Sequence, residues 1–178
     1  MSSENKPDKT YPAREVVLPD HEVVIRGLSV EEWDPLSGKC SPGIFQRPDT
    51  SVTRIDTVGL ETAIQLVKAD VEKPERPELN VSGVGAINVG KIKEIGQQPV
   101  PAKPAPELHH FQVWEEPTKK NAHHAEVVAY QEAAYINPRK KVALSYSKQL
   151  SKAVHIYSVD SLGRITGDSP PTEGDERF

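Results

Sequence analysis

The sequence predicts an α+β fold: a small mixed sheet of four to five strands with two to three helices, set between flexible tails. Three observations carry this. Short runs rich in branched residues and bounded by turn signals alternate with two segments of helical periodicity. Sixteen prolines in 178 residues, about twice the usual share of roughly 5%, exclude a helical bundle or coiled coil, because proline breaks helix interiors. With 36% apolar and 6% aromatic residues, the core is modest, yet its apolar residues are clustered. The expected organisation is a tail over 1–13, a single domain over 14–157 and an acidic tail over 158–178.

Within the domain, Glu15–Leu18 is a first apolar run, and Pro19-Asp20 marks a turn. His21–Gly27 reads as a strand rich in branched residues. Ser29 can cap a short turn over Val30–Trp33 that Pro35 stops. Residues 36–49 hold Gly38, Pro42, Gly43 and Pro48 and read as loop. Ser51–Asp56 alternates as a short strand, and Asp56 or Thr57 can cap a helix running to about Asp70. That helix carries Leu60, Ala63, Ile64, Val67 and Val71 at helical spacing. A charged, proline-rich connector spans 72–78. A strand over Gly83–Ile87 then leads into a short helix capped by Asn88 and ended by Gly96.

The segment 97–106 holds Pro99, Pro101, Pro104 and Pro106 and reads as an exposed loop with polyproline II character. Leu108–Trp114 is a further strand. Residues 125–130 fit either a strand or the start of a helix. Asn137-Pro138 has the form of a helix start, with Asn as cap and Pro at the first position. The helix is expected to run to about His155, with Val142, Tyr146, Leu150, Ala153 and Val154 on one face and Lys141, Ser145, Lys148 and Lys152 on the other.

The formal net charge of −4 hides an uneven distribution. Residues 159–178 hold five acids against two bases, and residues 119–155 hold seven bases against two acids. The lone cysteine, Cys40, excludes an intrachain disulfide and a Cys-rich zinc cluster, and is compatible with a reducing compartment. No signal-peptide pattern opens the chain and no run approaches the roughly 20 apolar residues of a membrane span. The expectation is a soluble, cytoplasmic protein that does not engage a membrane.

The paired histidines His109-His110 and His123-His124 invite a metal reading. Neighbours on a strand point to opposite faces, however, so each pair offers one ligand per face. His124-Ala-Glu126 matches the first half of the zinc deaminase signature, but no cysteine follows Cys40 to supply the second half. No Gly-x-Ser-x-Gly elbow is present, and the glycines over 83–90 form neither a dinucleotide fingerprint nor a P-loop. No metal and no cofactor are therefore expected. Lys141, Lys148 and Lys152, with Arg139 and Lys140 nearby, are spaced to track phosphates, though few aromatics interleave them for base stacking.

Five stretches in order carry a resemblance: Val24-Ile-Arg-Gly27, Cys40-Ser-Pro-Gly-Ile-Phe45, Thr50-Ser-Val-Thr-Arg54, Val84-Gly-Ala-Ile-Asn-Val89 and Glu116–Glu126. Their order resembles a group of small bacterial proteins with no established activity, over residues 24 to about 150. The resemblance implies that Arg26, Ser51, Asn121 and His124 (or His123) belong to one recurring pattern. The long proline loop and the doubled histidine depart from it. An arginine followed by a serine on a later strand is also similar to ADP-ribosyltransferase-like folds, which bind NAD, but their catalytic acid motif is not identifiable here.

Two classes of function follow. The first is a binding or accessory module for a protein or nucleic acid partner, with Asn121, His123, Glu126, Lys141, Lys148 and Lys152 as contact residues. The second is a small enzyme on a nucleotide or phosphate-bearing substrate, with Arg26, Ser51 and His124 as its catalytic set. In it arginine pairs with the anion and histidine moves a proton. A toxin- or immunity-type partner protein is a third. The enzyme reading requires Arg26, Ser51 and His124 to share one concave site.

Overall fold

The computed structural model describes residues 14–99 and 108–168. The expectations for 1–13, for most of the proline loop and for the end of the acidic tail lie outside them. Nine strands are described: β1 (Val23–Leu28), β2 (Trp33–Asp34), β3 (Lys39–Cys40), β4 (Asp49–Arg54), β5 (Gly83–Asn88), β6 (His110–Glu115), β7 (His124–Tyr130), β8 (His155–Val159) and β9 (Ile165–Asp168). Three α-helices join them: α1 (Leu60–Val71), α2 (Val89–Gly96) and α3 (Leu144–Ala153).

Seven strands form one sheet in the order β6-β7-β4-β1-β5-β8-β9, and β2 and β3 form a separate hairpin. The fold is α+β as expected, but the sheet is larger than the expected four to five strands. It is antiparallel at every pairing rather than mixed.

Alternation along the strands sorts side chains into two cores. Val23 and Ile25 of β1, with Val84 and Ala86 of β5, pack against Ala63, Ile64 and Val67 of α1. Val24, Leu28, Ile87 and Ile156 face the other way and join Ile92 and Ile95 of α2, Tyr146 and Leu150 of α3, and Phe111 and Val113 of β6. Helices thus cover both faces. Gly27 lets α1 approach β1: a Cβ there would meet Val67 Cγ1 at 2.6 Å.

β5 and α2 follow the expectation closely, with Asn88 Oδ1 accepting from Lys91 N–H at 2.9 Å as the cap. At α1 the expected side-chain cap is absent. Gly59, at φ 83°, precedes the helix, and Asp56 Oδ1 instead accepts from Val23 N–H at 3.1 Å. The segment 125–130, open between helix and strand, lies in β7.

The helix expected over 137–155 is corrected at both ends. It begins at Leu144 because the preceding backbone is engaged elsewhere. Pro138 bridges Tyr130, Arg139 N–H donates to Ala129 O at 2.9 Å, and Val142 N–H donates to Gln46 O at 3.0 Å. The Asn137 side chain turns to Glu132 rather than capping. At the far end, Val154 is extended and His155 opens β8, which pairs with β5 inside the sheet. The domain therefore continues past 157, where the acidic tail was expected to begin, through β9 to Asp168. Short and largely exposed, β9 lacks the apolar alternation that marks a strand in sequence.

Candidate functional site

A cleft opens where two central strands part. β1 pairs with β5 along its whole length, Val23↔Asn88 to Leu28↔Gly83. Its pairing with β4 is limited to Val24↔Arg54 and Ile25↔Thr53. Beyond those residues the strands diverge, leaving a cleft of about 390 Å³. Arg26, Ser51, Thr118 and His124 line it together with Glu32 and with Val67, Asp70 and Val71 of α1. Arg26, Ser51 and His124, named from the sequence as one set, thus border a single concave surface.

Arg26 is the cleft's guanidinium. Its Nη1 donates to Ser51 O at 3.4 Å, a long contact for such a bond. Its Nη2 stands 3.8 Å from a Glu32 oxygen. The Nε–H is buried, and no acceptor meets it among the described residues. Burial pulls the guanidinium below its ordinary value, with Arg47 adding to the effect and Glu32 opposing it. Glu32 compensates only partly, because its other oxygen accepts from Ser29 N–H at 2.8 Å and closes the Ser29–Glu32 turn.

His124 opens β7 opposite Thr53 of β4. Its Nδ1 lies 2.7 Å from Glu116 O. A carbonyl only accepts, so Nδ1 carries the proton and Nε2 is the ring position left for exchange. The preceding loop is tied down by Asn121, whose side chain is buried. Asn121 Nδ2 donates to Thr53 Oγ1 at 2.8 Å and to Asp70 Oδ2 at 3.0 Å, while Oδ1 accepts from His123 N–H at 3.0 Å. Asn121 therefore joins β4, α1 and the start of β7 and positions the cleft's walls rather than lining it.

The other expected contact residues lie elsewhere. His123 Nδ1 sits 2.9 Å from Thr57 Oγ1, outside the cleft lining, so the doubled histidine divides into one cleft residue and one loop tie. Glu126, though opposite Ser51 in register, pairs with Arg14 at 2.9 Å. Burial and the adjacent Glu126 carboxylate together hold Glu116 above the usual carboxylate range. Lys141, Lys148 and Lys152 are all exposed on or beside α3, across the sheet from α1.

Asp70, Glu32 and Thr118 were not singled out from the sequence. Ser29-Val-Glu-Glu32 has capping-box spacing, a signal that marks Glu32. Asp70 lies between Val67 and Val71 on α1, and its place in the cleft depends on how that helix docks. Among the described residues no group of three or more His, Cys, Asp or Glu is arranged to hold a metal ion. No helix among them is long and apolar enough to cross a membrane. No protein-family model matches the chain, and comparison with curated proteins and with solved structures found no match.

Proposed function

We propose that the protein takes a small phosphate- or carboxylate-bearing ligand into the cleft, with Arg26 as the anion anchor and His124 as the acid–base group for chemistry on it. One observation carries this reading: a guanidinium with a buried, unmet Nε–H and only long contacts to its neighbours lies on the same surface as a histidine whose tautomer is set. Burying a cation is costly unless it is paired and hydrogen-bonded. An anion on Arg26 supplies both, and a guanidinium suits planar, bidentate pairing with a carboxylate or phosphate. Ser51, at the cleft rim, adds a hydroxyl that can orient the same anion. His124 offers Nε2 to the ligand while Glu116 O keeps the ring in place.

Calorimetric titration with ethyl phosphate tests the reading. Binding is expected to weaken about tenfold or more in Arg26→Gln, the size of a lost charge-assisted hydrogen bond. Equal affinity in wild type and R26Q overturns it.

The exposure of Lys141, Lys148 and Lys152 on one side of the domain favours a second reading, a nucleic acid or acidic protein partner held electrostatically. It requires a salt-sensitive interaction that the triple alanine variant loses.

A further inference from the structure

The cleft's charges do not suit a purely anionic ligand. Among the described residues, Arg26 is the one arginine or lysine on its lining, which also carries two carboxylates, Glu32 and Asp70. Glu32 is committed through one oxygen to the Ser29 backbone and through the other, at 3.8 Å, to Arg26. Asp70 is differently placed. One of its oxygens accepts from Asn121 Nδ2 at 3.0 Å, and among the described residues no cationic side chain pairs with the carboxylate. A phosphate on Arg26 would therefore sit in a cleft that already holds a carboxylate without a counter-ion, and like charges there oppose binding.

We propose that the ligand carries a cationic amine beside its anionic group, and that Asp70 receives the amine while Arg26 receives the anion. This rests on the reading of the cleft given above and adds the second half of the ligand's chemistry. The geometry around Asp70 supports it. Asn121 orients the carboxylate by a bond to one oxygen, and the other oxygen is left to accept from an ammonium. Val67 and Val71, on the same helix, give the flanking surface an apolar character suited to a short methylene spacer. Ser51 contributes a hydroxyl but no further charge, and the Thr118 hydroxyl is bonded to the Asn121 backbone. The anionic group is a phosphate or a carboxylate, since a guanidinium pairs with either.

Matched probes separate the parts. Phosphoethanolamine carries both charges with a phosphate, β-alanine carries both with a carboxylate, ethyl phosphate lacks the amine and ethanolamine lacks the anion. Calorimetry on wild type, Asp70→Asn and Arg26→Gln reads all four. Asp70→Asn retains an oxygen that can accept from Asn121, and the fluorescence of Trp33 and Trp114 in urea checks that it folds. The expected result is that phosphoethanolamine or β-alanine binds about tenfold or more tightly than ethyl phosphate. D70N removes that preference and leaves ethyl phosphate no weaker. Which zwitterion binds more tightly identifies the anionic group.

If ethyl phosphate binds as tightly as phosphoethanolamine and β-alanine, or if D70N keeps the preference, the amine subsite is overturned while the anion site stands. If ethanolamine binds as tightly as the zwitterions, the two-ended ligand is overturned as well. If none of the anionic probes binds, the anion site and the amine subsite fall together.

Discussion

Replacing Asn121 tests how the cleft is held. The side chain is fully buried and makes three hydrogen bonds, to Thr53 Oγ1, to the Asp70 carboxylate and from His123 N–H. In Asn121→Ala all three are lost. A neutral bond contributes about 1 kcal/mol net and one to a charged group about 1.5–3 kcal/mol, and partners left buried add a desolvation cost. The expected loss is about 3.5–5 kcal/mol before that cost, or a fall in Tm of about 7–20 °C for a domain of this size. Urea unfolding followed by fluorescence is the assay, with the slope unchanged and only the midpoint shifted. Asn121→Asp adds a pH signature. It sets a second carboxylate beside Asp70, so one of the pair holds its proton above the ordinary carboxylate range in the folded state. Such a group binds a proton more tightly folded than unfolded, so N121D gains stability relative to wild type as pH falls toward 4. A loss below about 1 kcal/mol in N121A, or no relative recovery of N121D in acid, refutes the assignment of Asn121 as the clamp.

Three further outcomes follow from the packing. Burial pushes the Cys40 thiol up to about 11, and its Sγ–H donates to Ser151 O at 3.3 Å. A disulfide reagent at pH 8 should therefore react about a hundredfold more slowly with the native protein than with the urea-unfolded chain; equal rates contradict this. Burial lowers the affinity of His109 for a proton, and Arg139 Nε and Ala143 N–H, both donors, face its two ring nitrogens at 3.0 Å. A neutral ring accepts from one of them and an imidazolium from neither. The unfolded chain then binds the proton more readily, so this contribution is present above the unfolded pKa of about 6.5 and is lost as pH falls below it. His109→Phe should flatten the urea midpoint between pH 7 and 5, and an unchanged slope rejects the argument. Gly96→Ala places a Cβ 2.1 Å from His109 O, a backbone atom that cannot swing away. It should cost about 2–3 kcal/mol, and a urea midpoint equal to wild type counts against this α2–β6 packing.

What could be read in the sequence follows from how local each signal is. Asn88, Gly96 and the apolar positions between them specify α2 within nine residues, and the short apolar run Gly83–Ile87, buried on both faces, places β5 beside it. The start of α3 depends on distant partners. Asn137-Pro138 has the local form of a cap, but the N–H groups of Arg139 and Val142 go to Ala129 and Gln46, whose positions sequence spacing does not reveal. Likewise, β9 is a strand because Tyr157, Ser158 and Val159 of β8 give it an edge to pair with, not because of its own residues.

The cleft shows the same division. Arg26, Ser51 and His124 stand out as residue types on strand segments, but they meet because β1, β4 and β7 are neighbours in the sheet. Register decides that His124 lines the cleft while His123 binds Thr57 and Glu126 binds Arg14. Asp70 was missed because a carboxylate on a helix reaches the sheet only where the helix docks closely, and Gly27 permits that approach.

The most direct test of the central claim is the Arg26 Nε–H resonance, followed by ¹⁵N-edited NMR while phosphoethanolamine is added at pH 7. The account predicts a saturable shift of that resonance and of His124, with the Arg26 signal absent and the His124 shift lost in Arg26→Gln. Fixed resonances at Arg26 and His124, with shifts confined to Lys141, Lys148 and Lys152, would contradict it.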